Sequence, residues 1–268
     1  MTQKNELSMA VPRKFLQDEI ETDLRMGIIM SYCFLKRYSS YDGFYQNSFL
    51  NIMEEYGLHY DESKTKSLPK QAKTLMLGFD YLVGENIISL QKGDYHNVYE
   101  LFKIKIKCDF TNENFVILKY KDFDYVFNNT KRINKMGMLY TLLFILNHYI
   151  VTYEIDKKCY YSACGLSLET ISKKLGFSTM TAYKYLKNIS IEEGYEGESP
   201  LIKSKPYYIK VNGKLIRFPN IYVENRANAI KIIEIVRKEI CERFKTKNTE
   251  KEKDSFDYYA DFDESEFF

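Results

Sequence analysis

The sequence predicts an α+β chain, mainly helical, in which one unit of helices followed by a β-hairpin occurs twice in tandem. Three observations carry this reading. A pair of short amphipathic helices is joined at Gly176; Asn212-Gly213 separates two runs rich in aromatic and β-branched residues; and the helix pair has a diverged counterpart 119 residues earlier. The organisation that follows is a first domain over 12–109, a second over 110–225, a C-terminal helix over 226–246 and an acidic, aromatic tail over 247–268.

The helix pair spans Ser167 to Ile189. Ser167 can cap the first helix, Ile171 and Leu175 form its apolar stripe, Gly176 suits the left-handed residue that ends it, and Phe177 plugs the corner. Ser178 then caps the second helix, whose inward residues Ala182, Leu186 and Ile189 recur at i, i+4 and i+7. Thr179, Met180, Thr181, Tyr183, Lys184 and Lys187 are left on its outer side. Two helices at a Gly turn, with a polar and basic outer face on the second, are the layout of a DNA-reading helix-turn-helix. An ordinary helical hairpin would use the same spacing.

Beyond the acidic loop 192–198 lies Leu201-Ile202-Lys203, followed by KPYYIKVNGKLIRFPNIYVEN. Asn-Gly between such runs is a strong hairpin signal, because a two-residue type I′ turn needs positive φ at both central positions. The hairpin reads as a wing, with Lys203, Lys205, Lys210, Lys214 and Arg217 on or beside it as candidates for sugar-phosphate contact. An edge hairpin kept soluble by Lys would look alike. The acidic loop must face away from a bound duplex.

In the first copy, Arg25-Met26-Gly27-Ile28-Ile29 aligns with Lys135-Met136-Gly137-Met138-Leu139 at a shift of 110. Ser48, Ile52, Tyr56, Gly57 and Leu58 align with Ser167, Ile171, Leu175, Gly176 and Phe177 at a shift of 119. The extra residues of the second copy fall around 149–165, as a loop or a β excursion. The first copy has a longer turn, HYDESKTK, before a helix that Ser67 can cap and Pro69 can start. On that helix Ala72, Leu75, Phe79 and Leu82 are expected inside, and Lys70, Gln71, Lys73 and Thr74 outside, with Lys70, Gln71 and Lys73 as further DNA-contact candidates. A strand with alternating Lys103, Lys105 and Lys107 follows the Lys92-Gly93-Asp94 turn; such lysines are as readily the wet side of a sheet as a phosphate contact.

The segment RANAIKIIEIVRKEICERF places Ile230, Ile233, Val236 or Arg237, Ile240 and Phe244 on one helical stripe. Such a helix closes its own domain or pairs with a copy of itself in a homodimer; docking at home is expected, since short single stripes are marginal alone. After a polar linker, KTKNTEKEKDS, the tail interleaves aromatics with carboxylates and places Phe262, Phe267 and Phe268 among acids.

Composition sets the outer limits. With 45% hydrophobic and 16% aromatic residues in a chain of 268, both domains can bury a core. Residues 251–268 hold two Lys against seven acids, which leaves 37 basic and 30 acidic side chains in the first 250. That basic body suits a polyanion. No apolar run approaches the roughly 20 residues of a membrane span, and MTQKNELSMAVPRK lacks a signal-peptide core, so a cytoplasmic protein without membrane contact is expected. Five Cys without CxxC spacing and three scattered His argue against a metal site. No GxxxxGK[ST] or HxH occurs, and no Tyr stands in a His-based constellation, so no enzyme activity and no cofactor are expected.

The apolar helix KMGMLYTLLFIL, the helix pair and a wing closing with FPNIYVEN together resemble the tandem winged-helix replication initiators and replisome organisers of plasmids, phages and mobile elements in low-GC Gram-positive bacteria. The resemblance covers roughly residues 12–225 and implies two tandem winged helix-turn-helix domains, binding of double-stranded DNA at an origin and recruitment of host replication proteins. It assigns base contact to the outer face from Thr179 to Lys187 and phosphate contact to the 203–217 wing. ADFDESEFF is similar to the acidic tip of bacterial single-stranded-DNA-binding proteins, although it lacks the usual Pro before the last Phe. That likeness implies a docking role for Phe262, Phe267 and Phe268 on host replication proteins; a solvating tail, or one that lies on the protein's own basic face as a DNA mimic, would use the same residues. The same fold also serves transcriptional regulators, and an adaptor that binds only proteins is the reading from another class.

Overall fold

The computed structural model describes residues 7–61, 67–107, 114–129, 133–148, 151–155, 159–211 and 214–251, with the side chains of 151–162, 210–211, 214 and 243–251 outside the description. The chain is mixed α and β, with eight α-helices and several small sheets among these residues. It divides into two compact units, Met1–Leu143 and Phe144–Phe268.

The first unit opens with β1 (Ser8–Pro12), a 3-10 turn (Arg13–Leu16) and α1 (Thr22–Tyr38). β2 (Phe44–Ser48), α2 (Phe49–Tyr56), α3 (Lys70–Gly84), β3 (Ile88–Lys92) and β4 (Leu101–Ile106) follow. β5 (Phe115–Lys119), α4 (Tyr120–Phe127) and α5 (Lys135–Asn147) come next, and α5 carries the chain into the second unit. Residues 25–35 of α1 are buried without interruption, so α1 is the spine of this core. It crosses α3 at van der Waals limits. A Cβ on Gly27 would stand 2.2 Å from the Thr74 carbonyl oxygen, and one on Gly78 2.4 Å from that of Gly27. Ser31 Oγ donates to the Leu75 carbonyl at 3.0 Å across the same crossing.

The crossing corrects one expectation. Ala72, Leu75, Phe79 and Leu82 are buried as their spacing requires, but Thr74 is buried as well, its hydroxyl donating to the Lys70 carbonyl at 3.1 Å. Ser67 is not the cap either. Pro69, expected to start the helix, is itself the N-cap of α3, in extended backbone at ψ 147° and without a side-chain hydrogen bond, and the helix begins at Lys70.

β1 pairs antiparallel with β5, Ser8 opposite Lys119 and Pro12 opposite Phe115. Residues 115–127, assigned from the sequence to the second domain, therefore build the first unit. The bidentate ion pair of Arg37 with Asp124, at 2.8 Å on both arms, holds α4 to α1. Arg25, buried on α1, donates to the hydroxyl of Tyr140 on α5 and to the Ile20 carbonyl at 2.6 Å.

The second unit comprises β6 (Val151–Ile155), β7 (Cys159–Leu166), α6 (Leu168–Leu175), α7 (Thr179–Ile189), β8 (Ser190–Glu192), β9 (Leu201–Lys203), β10 (Tyr208–Val211), β11 (Lys214–Arg217), β12 (Asn220–Glu224) and α8 (Ala229–Lys251). The stretch read as a loop or β excursion is the β6–β7 hairpin. Its five-stranded sheet runs β6-β7-β12-β9-β8, antiparallel except for the parallel β8–β9 edge, and β10–β11 forms a separate ribbon.

One arrangement recurs in the two units. In the first, strand order β2-β4-β3 accompanies α2 and α3; in the second, β7-β12-β9 accompanies α6 and α7. Ser48 and Ser167 both accept from the backbone N–H three residues on, and Gly57 and Gly176 both close their helix in the left-handed region, at φ 84° and 70°. Left-handed backbone carries little penalty only for Gly, which is why the serine and the glycine recur together.

α8 docks on its own unit. Ala229, Ile232, Ile233, Val236 and Ile240 pack with Ile209, Phe218, Ile221 and Val223. Ile230, placed inside by the sequence pattern, is 46% exposed, and Ile232 takes the inner position. The helix runs to Lys251, so residues 247–251, read as the start of the tail, are helical. The remainder of the tail, with Phe262, Phe267 and Phe268, lies outside the described residues.

Candidate nucleic-acid interface

α7 is built to present one face. Ser178, in extended backbone, accepts from the Thr181 N–H at 3.2 Å and frees the next residues to enter the helix. Ala182, Leu186 and Ile189 are buried, joined by Tyr185, whose ring meets Phe177 edge-on at 5.2 Å between centroids. Phe177 thus plugs the corner through Tyr185. Asn188 is buried too, its amide donating to the Lys184 carbonyl at 2.7 Å.

The opposite face is open. Ser178, Thr179, Met180, Tyr183, Lys184 and Lys187 are exposed and Thr181 is half-buried, its hydroxyl bonded to Ser178. Met180, Tyr183, Lys184 and Lys187 fall at i, i+3, i+4 and i+7, a single stripe along the helix. α7 contains no carboxylate.

Beside this stripe lies a groove of about 560 Å³. Tyr183 and Lys187 of α7, Lys203 of β9 and Arg217 of β11 line it, together with Glu169 and Glu192. The two carboxylates make the groove mixed in sign, and Glu192, from the loop expected to face away from a duplex, lines it together with Tyr183 and Lys187.

The β10–β11 ribbon is held by its inner face. Ile209 is buried and Ile216 packs on the same cluster as α8, while Tyr208 and Leu215 on the other face are 55% and 71% exposed and Arg217 is exposed with them. Tyr207 stacks on Phe218 at 5.6 Å, and the Arg237 guanidinium lies 5.4 Å above the Tyr207 ring. Lys205 is exposed and Lys203 half-buried. Lys210 and Lys214 stand on the two strands of the ribbon, but their side chains, like the Asn212-Gly213 turn, lie outside the described residues.

The acidic loop is tied down. Glu193 accepts from both terminal nitrogens of Arg237, at 3.2 and 2.6 Å, and from the backbone N–H of Lys205 at 3.1 Å. Compared with known proteins, the chain matches no family model and no curated relative.

In the first unit, Lys70 and Lys73 are exposed and Gln71 is half-buried. Lys70 is engaged with Asp23 at 2.7 Å, an exposed pair that leaves less positive charge on that face than the sequence offered. No group of His, Cys, Asp and Glu able to hold a metal ion occurs among the described residues. Burial pushes the thiols of Cys33 and Cys164 well above the ordinary cysteine range, so both are core residues and poor nucleophiles at neutral pH. None of the described helices is long and apolar enough to cross a membrane.

Sequence reasoning missed Tyr185, Tyr208, Leu215 and the Glu193–Arg237 link. Tyr208 and Leu215 were within reach of it, because alternation along a hairpin puts them on the face opposite Ile209 and Ile216.

Proposed function

We propose that the second unit is a winged helix-turn-helix that binds double-stranded DNA sequence-specifically, with α7 in the major groove and the β10–β11 ribbon as the wing along the backbone. The observation that carries this is the uninterrupted exposed stripe Met180, Tyr183, Lys184 and Lys187, free of carboxylates, on a helix whose other side is anchored in the core. A helix held in this way can offer the same side chains to base edges without first ordering them, and the major groove admits one α-helix. Lys203, Lys205 and Arg217 supply positive charge where the backbone would pass. The Arg237 link supports the reading by keeping Glu193 engaged within the protein.

The resemblance to replication initiators extends this to origin binding in a plasmid, phage or mobile element, with recruitment of host replication proteins by the segment that bears Phe262, Phe267 and Phe268.

Replacing Lys184 and Lys187 together by Ala tests the helix. Binding to the preferred duplex should weaken by a few kcal/mol at most, given about 1 to 3 kcal/mol per good base contact, and the preference over a scrambled duplex should shrink. Unchanged affinity across a salt titration means that α7 is not the reader. Deleting residues 256–268 tests recruitment: duplex binding should persist while autonomous replication from the neighbouring DNA fails.

A further inference from the structure

We infer that the open face of the β2-β4-β3 sheet in the first unit is a second, sequence-independent contact for the phosphate backbone of duplex DNA, made by Lys92, Lys103 and Lys105. Lys103 and Lys105 are two residues apart on β4, which sets them about 6.7 Å apart on one face of the strand. Across the irregularity in β3, Lys92 lies directly opposite Lys103. Like charges directly opposite one another destabilise a sheet, and none of the strands FYQNS, ISLQK and LFKIKI contains a carboxylate to relieve them. Among the described residues none of the three ammonium groups forms an ion pair; Asp42, Asp94 and Glu100 lie in the connections outside the strands.

Two of the ammonium groups are held in place. The Phe44 ring, half-buried on β2, sits under Lys103 at 4.5 Å and under Lys105 at 5.2 Å. Its π face is therefore already occupied by cations, which makes this surface a positioned row of charge and not a platform for stacking unpaired bases. Around the row are neutral polar groups: Gln46 opposite Lys103, and Gln91, whose amide donates to Ser89 at 2.8 Å. A solvated sheet face needs only polar residues, and alternating Lys with Glu or Thr would provide them without repulsion. Three cations without an ion pair among the described residues, on strands without carboxylates, match a duplex, which carries one phosphate per 3.4 Å of each strand. Lysines on phosphates carry no base information, so the contact adds affinity and no preference.

The inference rests on the chain being a duplex binder, and the test separates the two claims. In the full chain, Lys103→Gln with Lys105→Gln is compared with wild type by fluorescence anisotropy on a preferred and a scrambled duplex between 50 and 200 mM salt. The slope of log affinity against log salt should flatten by about 1.8, which is 0.9 for each lost phosphate contact, equally on both duplexes. The Lys103→Arg, Lys105→Arg variant should restore the wild-type slope, which distinguishes lost charge from a damaged sheet. A slope unchanged in the Gln variant, or not restored by Arg in a folded protein, overturns the inference. Failure of the α7 reading looks different: the Lys184→Ala, Lys187→Ala variant keeps its full preference while the sheet variant still flattens the slope. A wild-type chain that binds neither duplex sinks both.

Discussion

Glu193 and Arg237, 44 positions apart in sequence, meet in a two-armed ion pair at 3.2 and 2.6 Å. The pair closes a small network. Arg237 also donates to the Lys205 carbonyl at 3.1 Å, and the Lys205 N–H donates to Glu193 at 3.1 Å. The acidic loop, the base of the β10–β11 ribbon and α8 are thereby joined at one point. With side-chain exposures of 24% and 13%, both partners sit in the range where hydrogen bonds between charges keep much of their strength.

Arg237→Ala should therefore destabilise the second unit by about 2 kcal/mol, the middle of the range for hydrogen bonds to charged groups. It removes the guanidinium from above Tyr207 as well as from Glu193. Urea unfolding with the midpoint displaced and the slope unchanged is the expected result; a midpoint equal to wild type would show the network to be decorative.

The α1–α3 crossing gives a second stability test. Gly27→Ala puts a methyl group where the Thr74 carbonyl already stands, and backbone cannot swing aside as a flexible side chain can. The expected loss is about 1 to 3 kcal/mol or more, typical of overpacking a core. Gly84→Ala is the control, because a Cβ there has open space within 4 Å. Circular dichroism melts of both variants, with Gly84→Ala near or above wild type, check the assignment.

Local chemistry made part of this structure legible. Ser48, Ser167 and Ser178 each cap a helix through a bond to a residue three positions on, and Gly57 and Gly176 end theirs by a conformation that one residue decides. The rest depends on partners distant in sequence. β1 and β5 pair across more than a hundred residues, and nothing in SMAVP or FVILK names the other. α8 carries two apolar stripes, one through Ile230 and one through Ala229 and Ile232. Its packing against Ile221 and Val223 decides between them, which the helical period cannot do. Thr74 reads as an outward residue until Gly27 brings α1 over it. At the candidate interface the exposed stripe of α7 was legible because its inner residues are, whereas the carboxylates Glu169 and Glu192 reach the groove only through the tertiary fold.

Arg217 offers a direct comparison with α7. It is exposed on the β10–β11 ribbon and lines the same groove as Lys187, and in the proposed complex the ribbon meets backbone and not bases. Arg217→Ala should weaken binding to preferred and scrambled duplexes by the same factor and reduce the salt slope by about 0.9. A loss confined to the preferred duplex would make Arg217 a base reader and require the ribbon to enter a groove.

High pH provides the last test, through phenols and not through DNA. Burial raises the pKa values of Tyr45, Tyr207 and Tyr222 well above the ordinary tyrosine range, and burial together with a hydrogen bond to Asp80 does the same for Tyr95. The sign follows from proton counting. Above the unfolded tyrosine value near 10 the unfolded chain has released these protons while the folded chain still holds them, so stability falls as pH rises. The favourable contribution of the neutral phenols is present in full below that value and disappears through the window between it and the raised folded values. Denaturant midpoints should fall progressively above about pH 10, and tyrosinate absorbance should show a class of phenols that ionises only as the circular dichroism of the fold is lost. Tyr222→Phe, which removes a buried phenol from β12, should flatten this alkaline loss. If all tyrosines ionise together in a chain that stays folded, these four rings are not buried.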